Sequence, residues 1–217
     1  MTYIYLILLM FMFCILYKGI SIAVKTAFKV RVIANIALAG LLVRNIALFI
    51  MFLCQNIRYL YMLKPFIFLD LACIPILISI LIYILARNNK MNFSYLFIIS
   101  IILFCIYAIF MFKFDYTIFI YQNFGYNMEF LNQNYILIFL LCIYSIYLFL
   151  AIILMKHKNT RKTIMCFVIV ICIVSILEII LRLSNINLIP NFIISQCLWI
   201  LIVDYVLYKM KKTRSIR

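Results

Sequence analysis

Very few side chains in this 217-residue chain can do chemistry. Five Asp plus Glu, one His and twenty Lys plus Arg stand in a sequence that is 70% hydrophobic. Four of the ionisable residues, Arg44, Asp70, Glu178 and Asp204, fall inside long apolar runs. Inside a bilayer such a group costs about 2.5–3.5 kcal/mol on insertion scales, so each needs a partner or a purpose. At 1.5 Å per helical residue, Arg44 is near the midplane of its run, with Asp70 roughly 8 Å and Glu178 roughly 6 Å toward the outer side. A guanidinium covers most of such an offset. Arg44 with Asp70, with Glu178, or with both is therefore a candidate buried ion pair, read either as a packing device or as a polar pocket opening outward. Arg182 stands one turn beyond Glu178 in the favourable acid-before-base order and competes for that carboxylate, which would leave Asp70 to Arg44. Asp204 lies roughly 9 Å toward the inner side and is expected to pair at a basic inner rim.

Several chemistries lack their parts. An intramembrane aspartyl protease needs two carboxylates in contact, whereas Asp70 and Asp204 differ in depth by roughly 17 Å. The single histidine, His157, sits in a basic connection, so there is no HExxH motif and no base beside a nucleophile. No P-loop or GxGxxG motif is present. Eight cysteines lie in or at the edges of apolar runs without a CxxC pair, which argues for small packing residues rather than disulfides or zinc. No metal, cofactor or catalytic residue is expected.

The elements that must position these charges are membrane helices. A hydrocarbon core of about 30 Å takes about 20 apolar residues per crossing. Seven runs meet that length, at 3–24, 32–54, 65–86, 93–112, 135–155, 164–183 and 188–208. The fold expected is a single all-α polytopic bundle of about seven transmembrane helices over residues 1–217, without a soluble domain. The first run has no basic residue before it and no small-residue cleavage site after it, so it does not resemble a secretory signal peptide.

Charge sets the orientation. With the N-terminus outside and the C-terminus in the cytoplasm, the inner segments hold Lys18, Lys25, Lys29 and Arg31, then Arg87 and Lys90, then Lys156, Lys158, Arg161 and Lys162, then Lys209, Lys211, Lys212, Arg214 and Arg217. The outer segments hold only Arg58, Lys64, Lys113 and Arg182. That is a positive-inside distribution. A net charge of +15 split among short loops points to anionic lipid rather than nucleic acid. The match of Asn92-Phe93-Ser94 to a glycosylation sequon falls on the inner side and is discounted.

Three local expectations follow. Lys18, Lys25 and Lys29 share a helical face, so the first helix is expected to continue past the bilayer as a basic extension. The small residues Ala34, Ala37, Ala39, Gly40 and Ala47 place the second helix centrally, with Asn35 and Asn45 available for interior contacts. Pro75 is expected to kink the third helix and free a carbonyl near Asp70 and Leu71. The long connection 113–134, with Tyr116, Phe119, Tyr121, Phe124, Tyr126 and Phe130, reads either as a ligand-facing loop or as an aromatic segment lying in the interface.

The function these features favour is a non-enzymatic, sensor-like or accessory membrane component that acts through a protein partner at its cytoplasmic face. A small-solute or proton-coupled transporter and a membrane-embedded lipid-modifying enzyme are the alternatives.

Overall fold

A hydrocarbon solvent leaves backbone N–H and C=O groups no partner but each other, so apolar runs of this length fold as helices. The computed structural model describes residues 2–53, 57–86, 94–121, 125–156, 162–184 and 190–215. Seven helices in it are long and apolar enough to cross a membrane. The chain is an all-α bundle and a multi-pass membrane protein.

The helices are α1 (Thr2–Ala23), α2 (Phe28–Leu53), the short α3 (Ile57–Leu60) and α4 (Lys64–Ile67), α5 (Asp70–Ala86) and α6 (Ser94–Lys113). After two strands come α7 (Gln133–Met155), α8 (Lys162–Leu183) and α9 (Ile193–Ser215). Arg87, Lys90, Asn92, His157, Lys158, Arg161, Asn185, Asn187, Cys54 and Arg217 lie outside the described residues, as do the side chains of Arg58, Lys211, Lys212 and Arg214.

Two expectations need correction. The first helix has no basic extension: it stops at Ala23 and α2 starts at Phe28. The buried Thr26 donates its hydroxyl to the Ala23 carbonyl at 2.7 Å while its own N–H bonds the same oxygen. This local side-chain alternative to the helical ladder turns the chain at once. The central position belongs to the third span rather than the second, with 72% of its apolar window buried against 44% for the second. The connection 113–134, read above as a ligand-facing loop or an interfacial segment, carries regular structure. It folds into an antiparallel hairpin, β1 (Tyr116–Tyr121) and β2 (Gly125–Phe130), with Thr117 opposite Glu129 and Ile118 opposite Met128. Its aromatic and β-branched residues suit a pleated strand.

The third span is interrupted, but not at Pro75. A 3-10 turn at Tyr61–Leu63 leads into α4, the ladder breaks at Phe68 and Leu69, and α5 then runs through Pro75. Pro75 stands just over one turn inside α5. Its own carbonyl accepts from Ser79 Oγ and from Tyr147 Oη of α7, both at 2.9 Å.

The small residues of α2 do bring a neighbour close. Ala34, Ala37 and Ala47 are buried, and a Cβ added at Gly40 would lie 2.6 Å from Cys73 Sγ on α5. Gly40→Ala is expected to destabilise the protein by about 1–3 kcal/mol through overpacking. Adding Cys73→Ala to that variant should restore part of the loss. Thermal unfolding in detergent checks both, and an unchanged midpoint in Gly40→Ala would mean the two helices separate without cost.

At the other extreme, α6 has only 11% of its apolar window buried and packs mainly on α5. It leads directly into the hairpin, which closes one end of the bundle. Phe130 stacks on Phe68 with ring centroids 4.0 Å apart, and Tyr116 lies under Lys64 Nζ at 4.2 Å.

Candidate functional site

The second, third and seventh spans meet beneath the hairpin, around Arg44. This side chain is 2% exposed. Arg44 Nη2 stands 3.2 Å from Asp70 Oδ2. Nε donates to the Ile67 carbonyl at 2.9 Å, Nη2 also donates to the Asn191 carbonyl at 3.0 Å, and Nη1 donates to Gln196 Oε1. Gln196 then passes its amide to Asp70 Oδ2 at 2.9 Å and to the Asn191 carbonyl at 3.0 Å. A guanidinium has five N–H donors; three hydrogen bonds are made here, beside the ion pair with Asp70.

Local breaks in the helices make this possible. Ile67 ends α4, so its carbonyl is free of the helical ladder where the third span is interrupted. Asp70 opens α5, where a carboxylate is favoured by the helix dipole. Asn191 (φ 65°) and Phe192 (φ 52°) both adopt left-handed backbone just before α9. Asn tolerates that region, whereas for a bulky residue such as Phe it is an outlier and costs on the order of 1–3 kcal/mol. The turn aims the Asn191 carbonyl at Arg44.

A second polar layer lies between this network and the hairpin. Arg182 Nη2 pairs with Glu129 Oε1 of β2 at 3.1 Å, and its guanidinium lies 4.6 Å from the centroid of the Phe192 ring. Asn127 donates to the same Glu129 oxygen at 3.0 Å. With its amide oriented to satisfy both neighbours, Gln133 donates to Glu129 Oε2 at 3.3 Å and accepts from Arg182 Nε at 3.1 Å. The space between the layers is a cavity of about 40 Å³ lined by Arg44, Asp70, Glu129, Gln133, Arg182 and Phe192 among others. By the ~10–15 Å³ that one water needs, it has room for about three or four waters.

Arg44 and Asp70 are thus brought together, while Glu178 and Arg182 are not. Glu178 Oε2 accepts from the Ser195 backbone N–H at 3.2 Å, capping the first turn of α9 rather than meeting a guanidinium. Arg182 turns away from it to the hairpin. Asp204 lies at the opposite end of the bundle and forms no ion pair at an inner rim among the described residues; both its carboxyl oxygens are buried without a hydrogen-bond partner. Of the two interior amides, Asn45 donates to the Leu9 carbonyl at 3.1 Å, and Asn35 leaves its buried oxygen unbonded.

Charge alone does not point to Gln196, Asn191, Glu129 or Gln133. Gln196 and Asn191 were nonetheless visible as the two amides inside the last apolar run, 188–208. Among the described residues no three His, Cys, Asp or Glu side chains converge as a metal site would require. Within the two layers Arg44 is paired with Asp70 and Arg182 with Glu129. Comparison with known protein families and with curated proteins finds no match.

Proposed function

We propose that this protein is a non-enzymatic, sensor-like or accessory component of a cell membrane, oriented with the N-terminus and the hairpin outside and the C-terminus in the cytoplasm. The observation that supports this reading is the two-layer polar chamber roofed by the hairpin. The roof is clasped by Arg182 and Glu129, and the floor is the Arg44–Asp70 pair. Both layers are charge-neutral as they stand, and the cavity between them has room for a few waters. A ligand or lipid headgroup larger than that would enter the chamber by displacing the hairpin. An element with a docked and an undocked arrangement is what a switch requires.

The signal would leave through the basic inner face. Lys18, Lys25 and Lys29 would meet anionic lipid there, and the tail from Lys209 onward would meet a protein partner. The test is quantitative co-purification from native membranes in mild detergent. Wild type is compared with a variant in which Lys209, Lys211, Lys212 and Arg214 are changed to Gln. A stoichiometric partner that is lost with the tail charges is the expected outcome. A well-folded protein that purifies alone would reject the reading.

A second reading, a small-solute or proton-coupled transporter, is favoured by one specific observation. The third span is interrupted, a turn at Asn191 leads into the seventh, and both present carbonyls to the same guanidinium, as helix ends do in transporters built on broken helices. It requires substrate flux in liposomes that disappears in Asp70→Asn while the protein stays folded.

A further inference from the structure

At the end of the bundle away from the hairpin, α9 presses Asp204 against α1. The residue is 7% exposed. Neither carboxyl oxygen has a hydrogen-bond partner, and no cation lies within ion-pair distance among the described residues. The backbone of Gly19 forms its wall so tightly that a Cβ there would fall onto Oδ1 and 3.1 Å from Cγ. Glycine at position 19 is what leaves room for the carboxyl.

An ionised carboxylate in this position would be a buried charge without compensation, at an effective cost of several kcal/mol. The neutral acid leaves a single O–H to satisfy and costs far less. The neighbouring helices offer little to change that balance. On α1, Lys18 stands next to Gly19 with its own side chain exposed. On α9 itself, Lys209 lies 5.8 Å from the Tyr205 ring centroid. The charged residues of α5 and α8, the other helices packed on α9, are Asp70, Glu178 and Arg182 at the hairpin end, and the exposed Lys162.

We propose that Asp204 is a proton-binding site, held as the neutral acid between α1 and α9, and that release of its proton to water drives the two helices apart. The coupling follows from the contact. A carboxylate needs water or a cation around both oxygens, and the Gly19 wall leaves no space for either until α1 moves.

The experiment uses the full chain in liposomes, with ¹³C-labelled aspartate and infrared detection of the carbonyl stretch of a protonated carboxylic acid. At neutral pH the wild type should show an isotope-shifted band that is missing from Asp204→Asn, a neutral near-isostere of the acid. Above its midpoint the band should fall about tenfold per pH unit. No such band at neutral pH, or a band that survives Asp204→Asn, overturns the proposal. Should the variant fail to accumulate, adduct formation by a hydrophobic carbodiimide at Asp204 of the wild type decides. A yield that falls as pH rises supports the site, and no adduct or a yield independent of pH overturns it. Amide hydrogen exchange tests the coupling after correction for intrinsic rates. Protection of α1 and α9 should be lost at alkaline pH in the wild type and kept in Asp204→Asn; equal behaviour of the two proteins overturns it.

Discussion

Arg44→Leu is expected to cost about 3–5 kcal/mol of stability and to lower the amount of folded protein in the membrane sharply. The loss comes less from the missing attraction than from what stays behind. Asp70, the Gln196 carbonyl oxygen and the carbonyls of Ile67 and Asn191 lose a donor together. The measurement is the thermal unfolding midpoint in detergent, read with Asp70→Leu and the double variant as a double-mutant cycle. Each single change should be severe. The double change should recover part of the loss, since it removes both charges and leaves apolar bulk in their place. Additive losses in the double variant would mean that the two residues do not stabilise one another. A harmless Arg44→Leu would remove the floor of the chamber from the functional argument.

Glu129→Ala should undock the hairpin while leaving the helices in place. It removes the anion that holds Arg182, Asn127 and Gln133 at the roof. Charge-assisted hydrogen bonds contribute about 1.5–3 kcal/mol. Hairpin opening should therefore become roughly 10–100-fold more frequent, at about 1.4 kcal/mol per factor of ten. Amide hydrogen exchange across Tyr116–Tyr121 and Gly125–Phe130 reads this directly. Arg182→Ala should reproduce the effect, and Glu129→Gln, which can still accept from Arg182, should fall between. If exchange is unchanged, the stacking of Phe130 on Phe68 holds the hairpin and the ion pair is not its clasp.

The helices were legible in the sequence because hydrocarbon allows a long apolar run almost no other structure. Their interruptions were not. Phe68 and Leu69 are as apolar as Ile67 before them, and the break there shows only through the contact it permits, that of Arg44 with the freed Ile67 carbonyl. The hairpin was hidden for a different reason. Its residues suit a membrane interface and a β-strand equally well, so the pairing of Ile118 with Met128 could not be read from their types. Counting residues along a helix gives depth but not azimuth. Depth put Asp70 and Glu178 at similar heights near Arg44. Their helical faces decided that one meets the guanidinium and the other caps α9. The same limit misplaced Asp204, which has the height of an inner rim but faces Gly19.

The Arg44 network also has a history in time. Its guanidinium bonds Gln196, a residue 152 positions further along the chain. At a synthesis rate of about 5–20 residues per second, Arg44 waits roughly 8–30 s between its own emergence and that of its last partner. For that interval Asp70 and the Ile67 carbonyl are the partners of this network already made. The seventh span arrives to helices that already hold a half-satisfied charge, so α9 docks onto a polar group as well as an apolar surface. Closure of the Arg44 network therefore waits on α9, and until then the guanidinium is only partly satisfied.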